Sequence, residues 1–75
     1  MIKREGWYIK ITRYTNASDY DLMHDGECYG AFPNVKELNA FADMLRRDLA
    51  GKKKLSQKTR DDYHEIIAVI EGVSG

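Results

Sequence analysis

Residues 19–32 read Asp19-Tyr20-Asp21-Leu22-Met23-His24-Asp25-Gly26-Glu27-Cys28-Tyr29-Gly30-Ala31-Phe32, two short stretches of strand character on either side of an Asp-Gly pair. The fold depends on how this hairpin closes. A two-residue Asp25-Gly26 turn of type I′ sets His24 opposite Glu27 and Leu22 opposite Tyr29. That register places Tyr20 and Leu22 on one face but Cys28 and Phe32 on the other. A three-residue loop with Gly26 left-handed in a bulge moves the pairing by one, so that Leu22 faces Cys28 and Tyr20 faces Gly30. Tyr20, Leu22, Cys28, Gly30 and Phe32 then share one side. A one-residue slip inverts every side chain of a strand, so the apolar pattern favours the bulged turn.

Upstream, Trp7 to Thr15 alternates, with Trp7, Ile9 and Ile11 on one side and Tyr8, Lys10, Thr12 and Tyr14 on the other. A period of two in aromatic and β-branched residues predicts a half-buried strand. Asn16-Ala17-Ser18 supplies a turn to a second strand at about Asp19–Met23. Downstream, Pro33 ends the third strand, at about Glu27–Phe32. Asn34 followed by Glu37 opens a helix in capping-box fashion. Val35, Leu38, Phe41, Ala42, Leu45 and Leu49 recur at helical spacing, and Gly51 suits the residue just past a helix end. Asp43 and Arg47 are spaced for an i,i+4 ion pair. Ser56 is a good N-cap for a second helix whose apolar stripe is Tyr63, Ile66, Ile67 and Ile70. The predicted class is α+β: a three-stranded antiparallel meander followed by two helices packed on one face, in the order β-β-β-α-α.

With 75 residues, the chain is expected to form one domain over 1–75, with flexible ends at 1–6 and 72–75. A domain this small is marginal without added core, which makes a homodimer an open possibility. One cysteine excludes an internal disulfide. No window approaches the ~20 apolar residues of a membrane helix. Lys3-Arg4 is not followed by the apolar run of a secretory signal, and a lone thiol suits a reducing compartment, so the expected location is cytoplasmic. His24, Cys28 and His64 lack the spacing of a zinc site, and no metal or cofactor is expected. His64, Tyr63 and Glu65 are helix neighbours that point different ways, and Cys28 is expected to be buried. The chain is therefore expected not to be an enzyme.

The charges balance overall but come in blocks. Residues 17–45 hold six acidic side chains against one basic, and residues 46–60 hold seven basic against one acidic. Blocks kept apart by the fold would form poles that steer partners. Two candidate surfaces follow. One combines the outward face of the meander with the acidic hairpin: Tyr8, Lys10, Tyr14, Asp19, Asp21, Met23, Asp25, Glu27 and Tyr29. Tyrosine and methionine give interfaces large, adaptable contact area, and the carboxylates suit a basic protein. The other is the basic segment Arg46, Arg47, Lys52, Lys53, Lys54, Lys58 and Arg60, which suits phosphate and so nucleic acid. A zero net charge, with acidic blocks that repel phosphate, weakens that second reading.

In its short length, charge blocks and strands-then-helices layout, the chain resembles the small accessory proteins of phages and mobile elements, among them the anti-CRISPR inhibitors. That resemblance implies an inhibitor that covers a partner's surface. Antitoxins of the HicB type also place a meander before a helix, but their run of glycine and acidic residues in the strands is absent here. The leading expectation is a non-enzymatic protein-binding module whose partner carries a basic surface. A nucleic-acid-binding protein is the alternative, and a self-associating structural protein the third reading.

Overall fold

The Asp25-Gly26 pair makes the tight turn, and the register correction comes later in the strand. The computed structural model describes residues 6–51 and 54–74. Asp25 and Gly26 have φ of 52° and 83°, the two positive values that a type I′ turn requires. His24 therefore pairs with Glu27, and Met23 with Cys28. The register then shifts, so that Leu22 pairs with Gly30 and Tyr20 with Phe32. Tyr29 is the extra residue, a β-bulge inside the third strand. The expected pairs Leu22–Cys28 and Tyr20–Gly30 are thus replaced. The apolar pattern is still satisfied, because the bulge returns Gly30 and Phe32 to the side of Leu22 and Tyr20.

Strands β1 (Trp7–Arg13), β2 (Ser18–His24) and β3 (Glu27–Phe32) form an antiparallel sheet in the order β1-β2-β3. Helices α1 (Val35–Ala50) and α2 (Gln57–Ser74) follow, as expected from the sequence. Both caps are present. Asn34 Oδ1 accepts from the Glu37 amide at 2.9 Å, and Ser56 Oγ accepts from the Thr59 amide at 3.2 Å. These bonds satisfy amides that the first turn leaves without helical partners. Gly51 follows the last residue of α1, as expected. It is extended, with φ −81° and ψ −174°, so α1 leads straight into the connection without a left-handed turn. At the other end α2 runs through Ser74, and Val73 packs on the core, so 72–74 are helical and not a tail. Of the remaining expected flexible ends, Gly6 lies in a bend, and residues 1–5 and 75 lie outside the described residues.

The core lies between the sheet and the two helices. Leu22, Leu38, Ala42, Leu45, Ile66, Ile67 and Ile70 are buried, and Trp7, Ile9, Tyr20, Phe32, Phe41 and Tyr63 pack around them. Leu38 and Ile70 are fully enclosed, and each such side chain contributes roughly 1.5–3 kcal/mol. α2 lies on β1, and α1 on α2 and β3. Ile11, expected in the core with Trp7 and Ile9, is 39% exposed because the helices leave its end of β1 uncovered.

The helices do not make a simple hairpin. Arg46, near the end of α1, reaches Glu71, near the end of α2, at 2.9 Å. The chain must then return along most of α2 to reach Gln57, a distance of roughly 20 Å at 1.5 Å per helical residue. Gly51, with extended backbone, begins that return.

Candidate functional site

The two-residue turn puts Tyr29 on the helix side of the sheet, two residues on from Glu27. In the expected register Tyr29 shared the outward face with Tyr8 and Met23. In the structure its ring lies edge-on to Trp7, centroids 5.1 Å apart, and 6.1 Å from His24. Trp7 faces the helices, since its indole N–H donates to Asp62 of α2 at 3.4 Å. Trp7 and His24 are directly paired across β1 and β2, with rings 4.6 Å apart. Tryptophan, histidine and tyrosine thus form one aromatic cluster at the turn end of the sheet, on the helix side.

Carboxylates ring this cluster. The Tyr29 hydroxyl donates to Glu27 Oε2 at 3.2 Å. That bond, and the negative charge of Glu27, raise the phenol above its ordinary pKa. His24 Nδ1 lies 3.5 Å from Asp25 Oδ2. Asp62 accepts from Lys58 at 3.1 Å, and this contact holds its carboxyl below the usual range, against the opposing effect of burial and with help from Trp7. The Trp7 amide donates to Glu65 Oε1 at 3.4 Å. Tyr29 stays 57% exposed despite its three neighbours, so it is both held in place and available for contact.

The nine residues proposed from sequence fall into three places. Tyr8, Lys10, Asp19, Asp21 and Met23 share the outward face. There Tyr8 pairs with Met23, Lys10 with Asp21 and Thr12 with Asp19. Lys10 opposite Asp21 is a cross-strand pair of opposite charge, which is itself stabilising. Asp25, Glu27 and Tyr29 gather at the β2–β3 turn, and Tyr8 and Met23 lie one pair away from that end. Tyr14 stands at the opposite end, in the β1–β2 turn, where its amide donates to Ala17 O at 2.7 Å. Trp7, His24 and Asp62 belong to the site but were missed. Trp7 and His24 were read as core or turn residues, and no local signal brings α2 to them.

Cys28 is exposed, not buried. It pairs with Met23 on the outward face because the type I′ turn keeps it one residue out of the expected phase. Among the described residues there is no pocket, and no group of three side chains could hold a metal ion. No described helix is long and apolar enough to cross a membrane.

The basic segment is dispersed. Arg46 binds Asp43 at 2.7 Å and Glu71 at 2.9 Å, which raises its pKa further. The expected Asp43–Arg47 pair is replaced by this bridge, in which Arg46 reaches both carboxylates. Lys58 is taken by Asp62 at the aromatic end. Arg47, Lys54 and Arg60 are on helix or connection surfaces, and Lys52 and Lys53 lie outside the described residues. Lys58 and Asp25 both lie near enough to Tyr29 to act on its phenol, Asp25 raising its pKa and Lys58 lowering it. The start of α2 and the acidic turn therefore meet at one end, and the blocks partly neutralise each other there instead of forming two clean poles.

The fold and site together define a two-layer α+β domain with an exposed aromatic and acidic end. No protein-family model matches the chain, and no curated protein or solved structure gives a match.

Proposed function

We propose that the chain is a non-enzymatic protein-binding module that docks its β2–β3 end on a basic surface of another protein. Tyr29 carries this reading: it is 57% exposed, buttressed by Trp7, His24 and Glu27, and set beside Asp25. An aromatic anchor already fixed in place loses little freedom on binding, which is how hot spots gain affinity. Tyr8 and Met23 extend the contact around the edge onto the outward face, and the carboxylates steer a cationic partner. The reading fits an inhibitor that acts by covering a functional surface, as in the phage-type accessory proteins the chain resembles. Nucleic-acid binding is the weaker reading, because Arg46 and Lys58 are already committed to carboxylates of the same chain.

Affinity capture from host lysate tests the proposal, comparing wild type with the double variant Glu27→Lys, Tyr29→Ala. Expected is loss of proteins with basic surfaces from the variant and their retention by Arg47→Ala. Identical captured sets from wild type and the double variant would overturn it.

A further inference from the structure

We infer that the open edge of β1 pairs with the same edge of a second copy, with Ile11 at the two-fold axis, to make a continuous six-stranded sheet. The direction of the backbone groups comes from the β1–β2 turn. The Tyr14 amide donates to Ala17 O at 2.7 Å, so the backbone of Tyr14 faces β2. Antiparallel ladders alternate, so Thr12, Lys10 and Tyr8 also face β2. Ile9, Ile11 and Arg13 turn their N–H and C=O groups to the edge. α2 closes the first position only, where Glu65 accepts from the Trp7 amide. Among the described residues β1 has no strand on its other side.

The two sheet edges differ in their protection. β3 is interrupted by the Tyr29 bulge and followed directly by Pro33. Bulges and prolines are the usual guards against edge-to-edge pairing. β1 has neither, and it presents Ile11 at 39% exposure on the side of the sheet that elsewhere holds the core.

Self-complementarity selects the occupant. A two-fold pairing centred on Lys10 would oppose Lys10 to itself, which is unfavourable, and would need the Trp7 amide that Glu65 already holds. Centring on Ile11 needs only the open residues: Ile9 with Arg13 of the copy, Ile11 with Ile11, and Arg13 with Ile9. Lys10 then faces Thr12 of the copy, and Tyr8 faces Tyr14, so no like charges are opposed. Ile11 and Tyr14, 39% and 59% exposed in the single chain, both gain apolar neighbours. Opposed residues share a face, which places the Ile11 pair in the stretch the helices leave bare.

Light scattering and sedimentation over about three decades of concentration, a span that moves a dimer from mostly dissociated to mostly formed, test the inference. Wild type is expected to dimerise, and Ile11→Lys to weaken dimerisation about tenfold or more through opposed charges and lost apolar contact. Arg13→Pro, which removes an edge N–H but none directed at β2, is expected to weaken it while the circular dichroism stays unchanged. The register is read by oxidation in a Cys28→Ser background: mixed Lys10→Cys and Thr12→Cys chains should cross-link to each other, and Lys10→Cys alone should not. A wild type monomeric throughout, a dimer indifferent to Ile11→Lys and Arg13→Pro, or efficient cross-linking of Lys10→Cys to itself would each overturn it.

Discussion

The ring of Tyr29 stands edge-on to that of Trp7, 5.1 Å away, and the phase set by the Asp25-Gly26 turn puts it there. The Asp25-Gly26 turn and the bulge solve different problems. The turn follows local chemistry, with positive φ at both central residues. The turn also sends Tyr29 to the helix side as an exposed anchor, and the bulge after it restores the apolar phase of Gly30 and Phe32.

In the two-residue turn the glycine is conformationally required. Nothing lies within 4 Å of a Cβ built on Gly26, whose φ is 83°. Gly26→Ala is therefore expected to cost about 1–2 kcal/mol through backbone strain alone, read as a lower urea midpoint. Asp25→Asn, which keeps the favoured turn chemistry, should be neutral or slightly stabilising.

Ile70 is fully buried between the layers. Ile70→Ala should cost about 2–5 kcal/mol and Ile70→Val about 0.5–1.5 kcal/mol. A domain of this size has a total stability of roughly 4–11 kcal/mol, so the alanine variant should melt early, and chemical denaturation should rank the two variants in that order.

The Asp62 carboxyl is held below its ordinary pKa, chiefly by Lys58. A depressed carboxylate contributes stability that is complete above the ordinary range and is lost as pH falls through the folded value. Asp62→Asn should thus lower the urea midpoint at neutral pH, and the gap to wild type should narrow as pH falls below the ordinary carboxylate range.

Cys28 is exposed on the outward face, with Sγ 3.4 Å from Gly30 O. The native protein should react with a thiol reagent such as DTNB at the rate of an accessible cysteine, without denaturant. Reaction only after unfolding would restore the buried position that the bulged-turn register assigns to it.

The element order was legible because its signals are local: the alternation of Trp7–Ile11, the Asn34 and Ser56 caps, and the apolar stripes of both helices. What escaped depends on distant parts of the chain. Leu22–Gly30 pairing required knowing that the extra residue sits inside β3, whereas turn residues and apolar phase alone allow it in the turn. Arg46 replaces Arg47 as the partner of Asp43 because Glu71, remote in sequence, draws it to the helix interface. Ile11 is exposed because coverage of a strand depends on where a helix ends, which strand alternation does not encode. The candidate site was half legible: Tyr29, Glu27 and Asp25 were identified, but their neighbours Trp7 and Asp62 meet only through the packing of α2 on β1.

Site-directed photo-crosslinking in cells of the native host shows which end of the molecule meets the partner. A benzophenone amino acid would replace Tyr29 at the turn end and, separately, Met44, which is 44% exposed on α1. A cross-linked protein partner with a basic surface is expected from position 29 and none from position 44. Capture from position 44 with none from position 29 would contradict the docking proposal.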